Sequence, residues 1–309
     1  MAGSSRKVAL VVGASRGIGR QVSIDLAKNG YAVVVAAKSQ SDAHNVSPFP
    51  PDPNSPQSTI STVEREICEA GGEATAVPVD TRYYESVQRM VLETAQIYGR
   101  LDVVIYNSGA IWWASVENTP MKRFQLMQRV NPEGLYGTIQ AALPCFKENG
   151  WKGRIIVVSP PIYSRFFRGK TSYAIGKVGM SVLTKGMAMD FIREGKSEMA
   201  ITSIWPAAAI QSAATPDPDI VADLRKPTIF SDAILAMLEA PTERINGKLE
   251  LDEDFLRDYS KIQDFSKYAV VPGSSPRRML PAQFPILEVA EQDDEGRRVD
   301  STTRRAAKL

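Results

Sequence analysis

The sequence predicts an α/β fold: a doubly wound parallel sheet with helices on both faces, in a single domain. Three observations predict it. Apolar β-type runs alternate with amphipathic stretches along most of the chain. Several of those runs are apolar throughout, as strands buried on both faces of a parallel sheet are. A glycine-rich turn joins the first run to the first amphipathic stretch. Strand–helix alternation repeated this often builds a Rossmann-type sheet.

The strands read as Lys7–Val12, Tyr31–Ala37, Ala74–Val79, Leu101–Tyr106, Arg154–Ser159, Ala200–Trp205 and Gly247–Leu251, all rich in Val and Ile or flanked by turn residues. Helical patterns fill the intervals at Ile18–Asn29, Ile60–Ala70, Tyr84–Tyr98, Met121–Lys147, Thr171–Arg193 and Asp232–Ala240. Residues 39–58 break the alternation. Five prolines (Pro48, Pro50, Pro51, Pro53, Pro56) among Ser, Asn and Asp mark a long loop after the second strand. Aromatics at Phe255, Tyr259, Phe265 and Tyr268 indicate that the stretch after the last strand packs on the domain. The domain is expected to span 1–285. Residues 286–309, charged or small for the most part, read as a disordered tail.

Composition removes several classes of function. The 309 residues are 43% hydrophobic and 23% charged, ordinary for a globular protein, and a net charge of +2 gives no pull toward nucleic acid or anionic membrane. No run approaches the roughly 18 apolar residues of a membrane span. The two cysteines, Cys68 and Cys145, are far apart and form no metal-type spacing. His44 is the only histidine, set in the proline-rich stretch, so a His-based hydrolase or metal site has nothing to rest on. The final tripeptide Ala307-Lys308-Leu309 is a variant of the Ser-Lys-Leu peroxisomal address, which implies an import receptor as partner; without import the chain is expected in the cytoplasm.

The glycine turn is Gly13-Ala14-Ser15-Arg16-Gly17-Ile18-Gly19. Gly13 permits the tight turn, and Gly17 and Gly19 let a pyrophosphate approach the backbone at a helix N-terminus with its unpaired N–H groups. Standing between a strand and a helix, the motif is a strong dinucleotide signal. The second strand ends in Ala36-Ala37-Lys38, with no carboxylate for a ribose 2′-hydroxyl. Lys38 and the nearby Arg16 suit a 2′-phosphate, so the expected cofactor is NADP(H).

With Tyr173-Ala174-Ile175-Gly176-Lys177 on the helix after the fifth strand, Asn131 in the preceding long helix and Asn107-Ser108-Gly109 after the fourth strand, the chain resembles the short-chain dehydrogenase/reductase family over about Lys7 to Leu251. The resemblance implies Asp80 at the adenine and a small-molecule substrate. It makes Tyr173 the proton donor or acceptor and gives Lys177 the nicotinamide ribose. A water relay would run to Lys177 from a helix kink at Asn131, reinforced here by Pro132. A homodimer or homotetramer is the assembly it implies. Within the family, Ala36-Ala37-Lys38, Ser159-Pro160-Pro161, Trp205-Pro206 and Pro272-Gly273 are similar to the hydroxysteroid dehydrogenase-like group, whose members also carry a sterol-carrier domain; the stretch after Pro285 is too short for one.

Tyr173 and Lys177, four residues apart, share a helix face, so the ammonium is expected to lower the phenol's pKa. The departure from the family is the carbonyl-polarising serine, whose position, thirteen before the tyrosine, is Pro160. Ser159 lies on the opposite side of the strand and stands in only if the strand end turns. Otherwise another donor serves, the enzyme is slow, or its chemistry differs. Trp112, Trp113, Tyr163, Phe166 and Phe167 follow strand ends and either border a bulky apolar substrate or pack the core, while Arg165, Arg168 and Lys170 could receive an acidic group.

Overall fold

The computed structural model describes residues 6–289. Seven strands form one wholly parallel sheet: β1 (Val8–Val12), β2 (Ala32–Ala37), β3 (Glu73–Pro78), β4 (Val103–Tyr106), β5 (Gly153–Val158), β6 (Met199–Trp205) and β7 (Leu249–Leu251). Their order is β3-β2-β1-β4-β5-β6-β7. Helices join successive strands: α1 (Gly17–Lys28), α2 (Ile60–Glu69), α3 (Tyr84–Tyr98), α4 (Met121–Gln128), α5 (Gly134–Glu148), α6 (Thr171–Arg193), α7 (Thr228–Glu239) and α8 (Thr242–Ile245), with α9 (Asp252–Asp258) after the last strand.

Period-two alternation divides the strands between two cores. Ala9, Val11, Val33, Val35 and Ile105 face α1, α2 and α7. Val8, Leu10, Val12, Val34 and Val104 face α3, α5 and α6. A strand buried on both faces needs apolar side chains at every position, which is why these runs are uninterrupted. The chain order reverses between β1 and β4, and the crevice at their carboxyl ends is where ligands bind in such sheets. The aromatic stretch after β7 does pack on the domain: Phe255, Phe265 and Tyr268 are buried, and the Tyr268 hydroxyl donates to Asp232 at 2.6 Å.

The long helix expected over Met121–Lys147 is divided. A π-helical turn, Arg129–Glu133, separates α4 from α5. Pro132 sits inside that turn and has no N–H to give, so the wider turn absorbs the interruption. The hydroxyl of Tyr106, at the end of β4, donates to the carbonyl of Val130 at 2.5 Å. It enters the space left by Gly134, where a Cβ would come within 2.3 Å of that oxygen. The other differences are at boundaries: α7 begins at Thr228, a turn before the expected Asp232, and α8 and α9 are short additional helices.

The Tyr106–Val130 bond can be tested directly. Tyr106→Phe leaves the turn's carbonyl without this donor and is expected to lower stability by about 1–3 kcal/mol in urea denaturation at unchanged m-value. A change within a few tenths of a kcal/mol, about the size of a neutral surface substitution, would show that the phenol does not hold the turn.

Candidate active site

The glycine loop and the loop after β4 touch at the switch point. Gly13 has φ +89°, and a Cβ there would lie 2.6 Å from the amide nitrogen of Ser108. A Cβ on Gly19 would lie 2.1 Å from the carbonyl oxygen of Gly13. These two positions exclude side chains because backbone approaches backbone. The Asn107 carboxamide donates to the Gly13 carbonyl at 2.9 Å, so it pins the loop. Gly17 differs: it has φ +55°, and a Cβ there would meet Ser212 and Asn54 at 3.4 and 3.5 Å, ordinary contact distances, so conformation and not crowding calls for glycine. The N–H groups of the first turn of α1, Ile18 and Gly19 among them, have no partner inside the helix. Ser15 is buried, and Arg16 stands half-exposed at the N-cap position with no side-chain capping bond.

At the ends of β2 and β3 lies a charged cluster. Asp80 accepts from Arg82 through both oxygens, at 2.8 and 2.5 Å, and lies 3.5 Å from the Lys38 ammonium. The hydrogen bond from Arg82 is the chief reason that the Asp80 carboxyl falls to about 2. Lys38 is 71% exposed in its side chain and, among the described residues, held only by that long contact, which leaves it able to reach a second anion. Arg82 escaped the sequence reading; an acid and an arginine two apart at a strand end is the signal that could have found it.

The other end of the crevice is buried. Asn131 is fully buried in the π turn; its Oδ1 accepts from the Ala110 amide at 2.8 Å and its Nδ2 donates to the Ala110 carbonyl at 3.1 Å. Gly109 faces Lys177 and Asn131: a Cβ there would lie 3.4 Å from Lys177 Nζ and 3.7 Å from Asn131 Oδ1. Lys177 is buried and donates to the Val158 carbonyl at 2.9 Å, with its ammonium 5.6 Å from the centre of the Trp205 ring. Burial pushes the Lys177 ammonium down to about 7. Tyr173, one helical turn earlier on α6, packs with Phe166, Met127 and Ala110, and Trp113 meets its ring edge-on at 6.3 Å. Burial raises the Tyr173 phenol above its ordinary value, the reverse of the expected lowering. Desolvation of the buried phenol is the cause.

Tyr173, Lys177 and Asn131 therefore come together around the β4 loop, and Ser159 does not join them. Its side chain is fully buried, and its hydroxyl lies 2.9 Å from that of Ser181 on α6, which also donates to the Pro160 carbonyl at 2.7 Å. Phe166 is buried between Tyr173 and Trp205, and Tyr163 meets Phe284 edge-on, so both contribute to packing. Trp113 is the aromatic left largely exposed at this end. Arg165 and Arg168 are exposed, and Lys170 stands 4.3 Å over the Phe166 ring. The Ala307-Lys308-Leu309 end lies outside the described residues. No described helix is long and apolar enough to cross a membrane, and no described cluster of His, Cys, Asp and Glu could hold a metal ion.

Comparison with known proteins agrees with this geometry. The family described as short chain dehydrogenase matches residues 7–48 and 54–215. Hydroxysteroid dehydrogenase-like protein 2 of Bos taurus is 34% identical over 268 residues, 85% of this chain and 60% of that protein; its Homo sapiens counterpart is 33% identical over the same spans. The chain thus spans well under two thirds of the length of these relatives. A short chain dehydrogenase structure from Mycobacterium thermoresistibile is 31% identical with a TM-score of 0.77, covering 91% of this chain and 98% of that one. The chain belongs to the short-chain dehydrogenase/reductase family of oxidoreductases, whose members bind a nicotinamide cofactor.

Proposed function

We propose that the protein is an NADP(H)-dependent oxidoreductase that interconverts a carbonyl and an alcohol on a bulky apolar substrate of fatty-acyl or steroid-like type. The observation that carries this reading is the buried Tyr173–Lys177 pair of α6, facing the Asn131-held loop. The glycine loop and Lys177 would hold NADPH, which would supply the hydride for a carbonyl carbon. Tyr173 gives its phenolic proton to the resulting alkoxide, and takes one from the alcohol in the reverse direction. Lys177 orients the nicotinamide ribose and Asn131 holds the relay through which the proton is replaced.

The absence of an acid at the end of β2, with Lys38 and Arg16 nearby, supports NADP(H) over NAD(H). Gly13, Ser15, Arg16, Gly17, Ile18 and Gly19 form the diphosphate cradle. Asp80, with Arg82, borders the adenine, and Asn107 keeps the loop in shape. The exposed apolar side chains Tyr136, Ile175, Val182 and Met189 on α5 and α6 support self-association as a homodimer or homotetramer. Ala307-Lys308-Leu309 supports import into peroxisomes. A second reading, an NADP(H)-binding protein without redox turnover, is favoured by one observation. Pro160 stands where the family's serine is expected, and the Ser159 hydroxyl is engaged by Ser181. Tight NADPH binding without hydride loss over a broad carbonyl panel would establish it.

Three outcomes test the first reading. Tyr173→Phe is expected to lower kcat at least about 100-fold while NADPH affinity holds within a few-fold; activity that survives would remove Tyr173 from the reaction. Lys38→Ala is expected to weaken NADPH by about 10-fold and leave NADH unaltered; equal effects on both would end the 2′-phosphate argument. The third concerns the Lys177 ammonium, which lies at about 7 when folded against an ordinary 10.5. Between these values the unfolded chain holds a proton that the folded chain lacks, so this group makes stability rise with pH across that window. The wild-type melting temperature should therefore gain on that of Lys177→Met from pH 7 to 10. Parallel curves would mean that the lysine stays charged throughout.

A further inference from the structure

The proline-rich segment 39–58 is not a free loop. On one side it is fastened to α2. The Ile60 amide donates to the Ser39 carbonyl at 3.0 Å, Ser41 and Thr59 share a hydrogen bond of 2.7 Å, and Arg65 donates to the Ala43 carbonyl at 2.8 Å. The same guanidinium stands 3.8 Å over the Phe49 ring. On the other side it reaches the glycine loop. The Gly17 amide donates to the Pro53 carbonyl at 2.9 Å, and the Ser58 hydroxyl donates to the Ser15 carbonyl at 2.7 Å. The family match resumes only at residue 54, so Phe49 and Pro53 belong to an addition outside the shared pattern.

Asn54 sits where this segment meets the N-terminus of α1. Its own amide is turned back onto Asp52 at 2.7 Å. The carboxamide then lies against Gly17: a Cβ on Gly17 would be 3.5 Å from Asn54 Oδ1 and 3.4 Å from Ser212 Cβ. Three segments thus converge here: the glycine loop, the proline-rich insertion and the loop after β6. Asn54 Oδ1 is buried and takes no hydrogen bond among the described residues. An unpaired buried acceptor is costly, and turning the carboxamide over replaces it with a two-proton donor of the same shape. An anion at the helix N-terminus would draw that donor inward. It would also make good a loss, since the Gly17 N–H, one of the helix's free donors, is already engaged by Pro53.

We propose that segment 39–58 is a strap built over the cofactor's diphosphate, and that the Asn54 carboxamide donates from it to a diphosphate oxygen. The inference rests on the nicotinamide-dinucleotide reading of the site and is indifferent to whether NAD or NADP is preferred. In place of a backbone N–H the strap offers a side chain that can be removed singly.

The test is calorimetric titration of the full chain with NADP+, and with NAD+ in parallel. Wild type is compared with Asn54→Ala, Asn54→Asp and, as a charge control on the same segment, Gln57→Glu at an exposed position. Asn54→Ala is expected to raise the dinucleotide Kd by about 10-fold or more, as loss of a hydrogen bond to a charged group does. Asn54→Asp should raise it further through like-charge repulsion, and Gln57→Glu by less than about 3-fold, as a distant screened charge does. Adenosine 2′-phosphate, or adenosine if NAD is preferred, lacks the diphosphate and should bind all four proteins alike. Unchanged dinucleotide affinity in both Asn54 variants overturns the strap, as does equal weakening of the fragment. If Asn54→Asp fails to fold, Asn54→Ala decides alone. Wild type binding neither dinucleotide would overturn the cofactor reading and the strap together.

Discussion

The two hydrogen bonds between the Asn131 carboxamide and the backbone of Ala110 are what the reacting end depends on. They tie the turn between α4 and α5 to the loop after β4, across elements 21 residues apart. An ordinary helix does not need such a clasp; this one carries Pro132, which removes a ladder bond and widens the turn. The Tyr106 phenol then takes up the Val130 carbonyl, in space that only Gly134 leaves open. With Ala110 fixed, Gly109 presents bare backbone to Lys177. Each bond has a modest net worth, near 1 kcal/mol, but losing one strands buried polar groups, so the set stands or falls together.

The two ends of the crevice are electrostatic opposites. At the ends of β2 and β3 the charges are partly solvated and over-supplied with cations, so Asp80 is held fully ionised beside Arg82 and Lys38. At α6 the site is buried, and among the described residues the Lys177 ammonium has a backbone carbonyl and an aromatic face but no carboxylate against it. Desolvation therefore lowers the lysine and raises the tyrosine together. One end is suited to holding an anion in exchange with water, the other to moving a proton out of water's reach.

Strands and helices were legible because burial on both faces leaves an uninterrupted apolar run, and the helix of the candidate site because Tyr173 and Lys177 fall one turn apart after β5. Pro132 marked the break in the long helix, though not its π form. What composition could not convey was where the proline-rich segment goes. Proline content excludes regular structure, but the contacts of Pro53 with Gly17 and Ser58 with Ser15 join residues some forty apart. Arg82 was missed for a related reason: its bond to Asp80 depends on the turn after β3, and an arginine at a strand end is usually solvated. The direction of the Tyr173 shift was misread because spacing gives proximity to Lys177 but says nothing of dehydration.

Pro160 is compensated in structure and not in chemistry. The helix that carries Tyr173 and Lys177 holds the end of β5 by two bonds one turn apart: Lys177 to the Val158 carbonyl and Ser181 to the Pro160 carbonyl. The strand end therefore stays in place against α6 without a serine at position 160. A backbone carbonyl held this way accepts hydrogen bonds, however, and cannot donate one to a substrate oxygen, while the Ser159 hydroxyl is fully buried against that of Ser181. Losing such a donor typically costs about 3–4 kcal/mol of transition-state stabilisation. The hydroxyl that remains at this end of α6 is that of Tyr173, whose phenol burial holds protonated. Burial also makes that phenol a weaker acid, so dehydration does not replace the missing donor.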